Sequence, residues 1–311
     1  MKSVDVHQHL LSEPLIAELA RRRRPPALVR RDDGWTFRVA GEPDSFLVSA
    51  ATDAERRGAE LREEETDLAL VALSSALGIE TLPGEESEPL LAAHHLGLGS
   101  LPPRFAGWGA VQLEAPDPAD VDAAIRRGCV GISLPATALA EPAALESAGP
   151  LLARLEHHDA PLFVHPGPVA ESQLPAQVAS QPLWWPALTD YVAQMQAAWF
   201  AFLDAGRRAH PRLRVLFAML AGGAPLQLER YASRGGGEIP DPDPLVFYDT
   251  SSYGPRMVAA TVAAVGEAQV VYGSDRPVVG PAAPSLGDLE RALRRTNPHR
   301  LLAGETEGDP R

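Results

Sequence analysis

Short runs of apolar residues recur along the whole chain, separated by stretches in which apolar and polar residues follow a helical period. Each run is apolar at nearly every position rather than at every second one. This pattern predicts strands that are covered on both faces, as in a parallel sheet. The predicted strands occupy residues 4–9, 67–73, 105–111, 130–134, 161–165, 213–218, 245–249 and 269–275.

Amphipathic stretches between these strands predict helices. The predicted helices occupy residues 13–24, 53–64, 85–98, 117–127, 143–157, 191–208, 224–233, 255–265 and 286–295. Eight alternating strand and helix units in 311 residues are typical of the α/β class (β/α)8 barrel, the TIM barrel. A doubly wound open sheet is the alternative, but it is disfavoured because no glycine-rich phosphate loop follows the first strand.

The connection after the first strand contains a second pattern. Residues 34–39 and 46–48 are rich in aromatic and β-branched side chains and flank a Gly-Glu-Pro turn. They predict a small β-hairpin at about 34–48, inserted into the barrel after strand one. No linker of proline, glycine or serine is long enough to divide the chain. We therefore expect residues 1–311 to form one domain.

Composition limits the classes of partner. The net charge is −13 and the isoelectric point is about 5.2, which argues against nucleic acid because phosphate binding needs a basic face. No apolar run approaches the roughly 18 residues of a membrane helix, and no cationic and apolar leader precedes the first strand. We expect a soluble cytoplasmic protein, and the composition says nothing positive about its substrate.

Polar residues stand where several predicted strands end, which is where barrels place their chemistry. His7 and His9 end the first strand and point to the same side because strand side chains alternate. The fifth strand ends in His165 and the eighth in Asp275. Imidazoles and a carboxylate at one mouth form a site for zinc or another borderline divalent cation.

Each of these residues also has an ordinary structural reading. His165 alone is typical of a core or capping histidine, and Asp275 alone of a helix N-cap before Pro277. Their combination with the His7–His9 pair, at strands one, five and eight, favours the metal site. The fourth strand lacks a lysine, so a carboxylated lysine bridging two ions is not expected and the site should hold one ion.

The same motifs, in this order, resemble the amidohydrolase superfamily, and within it the amidohydrolase-2 branch typified by aminocarboxymuconate-semialdehyde decarboxylase. The resemblance runs nearly end to end and rests on residues 5–9, 163–166, 222–225, 248–251 and 273–277. It implies a (β/α)8 barrel with one divalent ion, usually Zn²⁺, with Mn²⁺ or Fe²⁺ as alternatives. The family's metal ligands match His7, His9, His165 and Asp275.

The resemblance also implies a homodimer and one residue that contacts substrate, and the sequence itself offers further candidates at the mouth. An arginine of the family's inserted hairpin meets a substrate carboxylate, which puts Arg38 forward. Arg276 either binds an anionic substrate or forms a structural ion pair behind the site. Trp184, beside Trp185, either lines the pocket or forms a lid or subunit contact. Asp249 ends strand seven, where the family also has Asp, and is expected to orient the backbone there.

One departure from the family concerns its catalytic histidine, which ends the sixth strand before a Gly-Gly stretch. Counting back from Pro225 places Met219 in that position. A thioether does not take a proton at neutral pH and is a poor ligand for zinc. Asp275 would then be the general base beside the metal-bound water.

Three functions remain open at this stage. The first is a metal-dependent hydrolase or non-oxidative decarboxylase that acts on a small carboxylated, aromatic or cyclic substrate, including one that itself supplies the missing catalytic group. The second is a degenerate barrel that binds a ligand without turning it over, as Met219 would suggest. The third is a metal-free lactone hydrolase in which the histidines act on substrate directly.

Overall fold

The structure, a computed structural model, describes residues 1–32, 34–47, 51–169, 180–279 and 287–303. Its strands are β1 (Val4–Gln8), β2 (Ala27–Arg31), β3 (Gly34–Arg38), β4 (Ser45–Phe46), β5 (Leu68–Val71), β6 (Phe105–Gly107), β7 (Gly109–Ala110), β8 (Ile132–Pro135), β9 (Leu162–His165), β10 (Val215–Phe217), β11 (Val246–Asp249) and β12 (Val270–Val271).

Two parallel sheets join into a closed barrel. One has the order β1-β5-β6 and the other β12-β11-β10-β9-β8-β7. Trp108 links them on one side, because β6 and β7 flank it and its N–H donates to the carbonyl of Val71 at 2.9 Å. On the other side the N–H of Val6 donates to the carbonyl of Tyr272 at 3.0 Å. The predicted (β/α)8 barrel is confirmed, with β6 and β7 together as the third strand.

Helices follow the barrel strands and begin where the sequence supplies caps. Ser12 caps the first through the N–H of Leu15, and Asp53 caps the second through the N–H of Arg56. The described helices are Glu13–Arg21, Ala54–Glu63, Gly84–Gly99, Pro118–Arg126, Pro142–His157, Trp185–Leu188, Asp190–Ala201, Arg207–Ala209, Leu228–Tyr231, Pro255–Val265 and Asn297–Ala303. Within the described part of the chain, no helix has the length and apolarity to cross a bilayer.

The insertion after β1 is larger than the predicted hairpin. β2, β3 and β4 form an antiparallel sheet in which Ala27 pairs with Arg38 and Thr36 pairs with Phe46. The prediction missed β2 because its apolar stretch covers three residues only and runs into exposed arginines. Val48, the end of the predicted hairpin, lies outside the described residues.

Three predicted helices differ in extent from the structure. The predicted helix 191–208 is interrupted at Phe202–Gly206, which form a π-helical turn. The predicted helix 224–233 is α-helical only at Leu228–Tyr231, because the chain before it takes left-handed backbone angles. The predicted helix 286–295 begins outside the described residues, and its later part is a π-helical turn at Ala292–Thr296.

Glu80 is a carboxyl group buried in the loop after β5. Its side chain is 0% exposed, Oε1 accepts a hydrogen bond from the Ser75 hydroxyl, and Oε2 has no partner among the described residues. Burial raises the pKa of Glu80 to about 7. The loop therefore accommodates the neutral acid, since the ionised form would be desolvated without a cation beside it.

We expect Glu80→Gln to stabilise the protein at pH 8 and to change little at pH 4.5. The unfolded carboxyl loses its proton above about pH 4.5, whereas the folded one keeps it up to about pH 7. The contribution of Glu80 to stability is therefore complete at low pH and is lost as the pH rises to 7. Glutamine is neutral throughout, so the gain at pH 8 should be about 2–3 kcal/mol.

Urea unfolding of both proteins at the two pH values measures this difference. Glu85→Gln, at an exposed position of the following helix, is the matched control and should change stability little at either pH. Equal unfolding free energies of wild type and Glu80→Gln at pH 8 would contradict the predicted burial of a neutral acid.

Candidate metal centre and its cavity

Three histidine rings meet at the carboxyl end of the barrel. His7 and His9 leave β1 on the same side, and their Nε2 atoms lie 3.0 Å apart. His165 ends β9, and its ring centroid lies 5.1 Å from that of His7 and 5.0 Å from that of His9. All three side chains are buried. The structure thus brings together residues separated by more than 150 positions in sequence.

The Nδ1 atom of each histidine is engaged by an oxygen that accepts a hydrogen bond. His7 donates to Asp249 Oδ2 at 2.8 Å, His9 to the carbonyl of Ala72 at 3.0 Å, and His165 to the carbonyl of Pro166 at 2.9 Å. These acceptors place the ring proton on Nδ1, so each neutral imidazole presents the lone pair of Nε2. This is the tautomer that a metal ligand requires.

Asp275 completes the cluster. Its Oδ1 lies 3.2 Å from His9 Nε2 and 3.6 Å from His7 Nε2. The backbone of Asp275 is left-handed (φ 55°), and its N–H donates to the carbonyl of His7 at 2.9 Å, which fixes the carboxylate beside the rings. One ligand atom from each of the four residues lies within 4.8 Å of all the others.

These distances fit a single divalent ion. Two nitrogens bound at about 2.0–2.1 Å to one zinc-sized ion lie about 3.0–3.4 Å from each other. The 3.0 Å separation of the His7 and His9 Nε2 atoms falls at the short end of that range. At this distance two lone pairs repel unless a cation or a proton lies between them. The donor set of nitrogen and carboxylate oxygen suits zinc, manganese or iron.

The pKa values of His7 and His165 are shifted in opposite directions. Burial opposes protonation of His7, but the carboxylates of Asp249 and Asp275 outweigh it and raise the pKa of His7. Burial, together with the nearby His9 and His7, lowers the pKa of His165 well below its ordinary value. His165 is therefore neutral near pH 7, and a cation that binds between the rings would compete with a proton on His7.

Asp249 holds His7 in place and is itself held firmly. Its Oδ1 accepts hydrogen bonds from the N–H of Met219 at 3.0 Å, the N–H of Ser251 at 2.9 Å and the Ser251 hydroxyl. From the sequence, Asp249 is expected only to orient the backbone at the end of the strand. In the structure, Oδ1 of Asp249 orients the backbone, while Oδ2 accepts the hydrogen bond from His7 Nδ1. Carboxylate–histidine pairs of this kind support metal sites.

Asp249→Asn is expected to weaken divalent metal binding about 10–100-fold, because the amide supports the Nδ1–H of His7 less well than the carboxylate does. Competition of Zn²⁺ or Mn²⁺ with a coloured chelator measures the affinity. Asp241→Asn, at an exposed position before the same strand, is the matched control. Unchanged affinity in Asp249→Asn would show that Asp249 does not orient a metal ligand.

Met219, at the position of the family histidine, begins a left-handed turn. The residues from Met219 to Gly223 all have positive φ, between 48° and 76°. Glycine is needed at Gly222, since a Cβ there would lie 2.8 Å from the carbonyl oxygen of Val192. This turn directs the N–H of Met219 toward Asp249 and Ser251, so the main chain at Met219 supports His7 through Asp249.

A cavity of about 370 Å³ opens beside His9, between the barrel mouth and the inserted sheet. Its polar lining consists of His9, Glu42, Ser45 and Ser74. The remaining described lining is apolar and comprises Leu10, Leu11, Leu15, Phe37, Pro43, Leu47, Ala51, Ala72, Leu73, Leu77, Leu183, Pro277 and Val278. A ligand in this cavity would contact His9 within a largely apolar lining.

The three predicted substrate-binding residues are not among the described lining of the cavity. Arg38 pairs with Asp44 at 3.5 Å and, unlike its neighbour Phe37, is not among the described lining of the cavity. Arg276 is 9% exposed and forms an ion pair with Glu64, which agrees with the structural alternative for this residue. Trp184 is 56% exposed and lies beside Leu183, a residue of the cavity rim.

One pair of residues at the cavity was not identified from sequence. Glu42, in the turn between β3 and β4, lines the cavity and accepts a hydrogen bond from the Tyr191 hydroxyl. The two residues are 149 positions apart, and no local pattern links them. The one feature of the sequence that could have pointed to Glu42 is its position as a charged residue in the turn of the inserted hairpin.

Comparisons with known proteins address the fold. No protein-family model matches the sequence, and no curated protein matches it. Among solved structures, IDCase of Metarhizium anisopliae has a TM-score of 0.75 at 17% identity, covering 97% of each chain. The 5-carboxyvanillate decarboxylase of Novosphingobium aromaticivorans, solved with bound manganese and a nitrobenzoic acid, has a TM-score of 0.74 at 16% identity over 97% of each chain.

A third similar structure is the 2,6-dihydroxybenzoate decarboxylase from Rhizobium. Its TM-score is 0.67 at 14% identity, covering 97% of this chain and 98% of that one. The likeness extends over nearly the full length of all three proteins. At these identities it establishes that the chain shares their barrel fold.

Proposed function

We propose that this chain is a metal-dependent enzyme that removes CO₂ from a small aromatic or cyclic carboxylate, with hydrolysis of such a substrate as the related alternative. The observation that carries this proposal is the convergence of three Nδ1-protonated histidines and Asp275 beside an apolar cavity. Two of the similar structures are those of proteins named as decarboxylases of aromatic acids, which supports the choice of reaction.

The ion would be held by His7, His9, His165 and Asp275. Zn²⁺ is the proposed ion, since the donor set suits it, and Mn²⁺ and Fe²⁺ are the alternatives. A divalent cation there supplies positive charge that orients the substrate carboxylate and lowers the pKa of bound water. Its occupancy depends on Asp249, which keeps His7 in the tautomer that binds metal.

Asp275 is proposed to move the proton of the reaction. In a decarboxylation the bond between the ring carbon and the carboxylate breaks, its electron pair stays on the ring carbon, and a proton adds there as CO₂ leaves. Asp275, placed 3.2 Å from His9 and fixed through its own N–H, would take a proton from water and deliver it to that carbon, and the hydroxide left would combine with the released CO₂ to form bicarbonate. In hydrolysis the same carboxylate would likewise take a proton from water.

The cavity is proposed to hold the body of the substrate. Its apolar lining removes water from an aromatic or cyclic ring, and desolvation of a carboxylate favours its loss as neutral CO₂. The volume of about 370 Å³ lies near the lower end of small-molecule sites, which suits a single ring with few substituents.

The second candidate function is a degenerate barrel that binds a carboxylate without turning it over. The observation that favours it is Met219, a buried thioether where the family has its catalytic histidine. The metal-free lactone hydrolase remains the third alternative and is separated by metal content. A single domain, a homodimer and a cytoplasmic location also stay predictions.

Turnover assays with the metal-loaded protein separate these functions. 2,6-Dihydroxybenzoate, 5-carboxyvanillate and related hydroxybenzoates are supplied, and release of CO₂ is measured with and without a chelator. Chelator-sensitive release from at least one acid supports the enzyme. Binding without release in wild type, together with release by Met219→His, would favour the degenerate barrel and count against the proposal.

A further inference from the structure

The charge of the cavity wall restricts which carboxylates can enter. Among the described residues that line the cavity, Glu42 is the acidic side chain and none is lysine or arginine. The metal centre beside His9 is therefore the place where positive charge is expected. The wall formed by the turn of the inserted sheet carries negative charge instead.

Glu42 is held in a fixed position. The Tyr191 hydroxyl donates a hydrogen bond to its Oε1, and Tyr191 is the second residue of the helix Asp190–Ala201. The turn is also packed closely at Gly41 (φ 74°), where a Cβ would lie 3.0 Å from the Cβ of Val169. The inserted sheet is thus docked onto the barrel at the loop that follows His165.

The Glu42–Tyr191 pair is coupled electrostatically to Asp275 of the proposed metal centre. Burial raises the pKa of Tyr191 well above its ordinary value, and the charge of Asp275 adds to this effect. Burial likewise raises the pKa of Glu42. Both His9 and Glu42 line the cavity, so a ligand that fills it contacts both side chains.

Cations that could neutralise a second anionic group are engaged elsewhere. Arg38 pairs with Asp44 outside the described lining, and Arg276 pairs with Glu64. A second carboxylate at the Glu42 end would face a carboxylate in a partly desolvated wall, which is unfavourable. A hydroxyl or amino group there would instead donate a hydrogen bond to a charged acceptor, one of the stronger kinds of hydrogen bond.

We propose that Glu42, positioned by Tyr191, selects substrates that carry a hydroxyl or amino group on the ring and excludes dicarboxylates. The substrate class is then a monocarboxylic ring acid with a hydrogen-bond donor remote from its carboxylate. This inference rests on the proposed function, since it takes the carboxylate of the substrate to lie at the metal centre. Glu42 acts in it as a specificity-determining residue.

Isothermal titration calorimetry of the Mn²⁺-loaded protein at pH 8 tests the inference with five probes. These are benzoate, 3-hydroxybenzoate, 4-hydroxybenzoate, isophthalate and terephthalate, which differ only in one substituent. The tighter-binding hydroxybenzoate is expected to exceed benzoate about tenfold in affinity, and both dicarboxylates are expected to bind at least tenfold more weakly than it.

Three variants locate the effect. Glu42→Gln should bring dicarboxylates to within about threefold of the hydroxybenzoates, and Tyr191→Phe should give an intermediate ratio, because Glu42 is then less firmly held. Asp32→Asn removes the same charge at an exposed position in the turn between β2 and β3, outside the described lining, and should leave the ratios unchanged. Circular dichroism confirms that each variant is folded.

The outcomes distinguish this inference from the proposed function. Metal-dependent binding in which dicarboxylates bind as tightly as hydroxybenzoates, or in which Glu42→Gln and Asp32→Asn behave alike, would overturn the role of Glu42 alone. Binding that is equal with and without metal would instead count against the metal centre. If none of the five probes binds, both the inference and the proposed substrate class are wrong.

Discussion

Asp275→Asn is expected to lower the turnover number of the metal-loaded protein by about 10²–10⁴-fold, since an amide neither takes nor donates a proton at neutral pH. Met219 stands where the family has its catalytic histidine, so Asp275 is the proposed proton-transfer group beside the histidine cluster. Steady-state rates with saturating metal and substrate measure the change in kcat. The affinity for substrate should change much less than kcat.

Asp44→Asn serves as the control for this substitution, because it makes the same chemical change at an exposed side chain. It should retain activity close to wild type. Metal content has to be measured for both variants, since Asp275 is also a proposed ligand. Asp275→Asn with one ion per chain and more than a tenth of wild-type turnover would show that another group transfers the proton.

His7→Ala is expected to abolish tight metal binding and to destabilise the fold by about 3 kcal/mol. The side chain of Asp249 is 0% exposed, and removal of His7 leaves its Oδ2 without the imidazole that now donates to it. The fold is destabilised because a buried carboxylate is left without its hydrogen-bond partner. Metal binding is lost because one of the ligands is missing. Urea unfolding and elemental analysis report the two effects separately.

His157→Ala is the control for His7→Ala, since His157 lies exposed at the end of the helix Pro142–His157. It should change neither stability nor metal content measurably. A His7→Ala protein with wild-type stability would mean that Asp249 does not depend on His7. A His7→Ala protein with wild-type metal content would mean that His7 is not a ligand.

The barrel and the position of the candidate site could be predicted from sequence because both follow from local rules. Continuous apolar runs identify buried parallel strands, and the period of two places His7 and His9 on one side. Barrel topology then brings His165 and Asp275 to the same mouth. None of these steps requires a particular long-range contact to be known.

The residues that support the site could not be predicted, because their partners are distant and leave no local pattern. Asp249 accepts the proton of His7 across 242 positions, and Tyr191 contacts Glu42 across 149. The left-handed turn at Met219 includes three non-glycine residues. Non-glycine residues rarely take left-handed backbone angles, so the sequence does not predict this turn. Arg38, which the family resemblance placed at the substrate, pairs with Asp44 in the structure, and its contact with substrate stays a prediction.

The most direct test of the metal centre is elemental analysis of the protein purified without chelator. We expect about one zinc, manganese or iron ion per chain in wild type, and less than a tenth of that in His7→Ala prepared in the same way. The His157→Ala control should keep the wild-type content. Wild-type protein that holds no divalent ion even after incubation with Zn²⁺ or Mn²⁺, or His7→Ala that holds as much as wild type, would contradict the account.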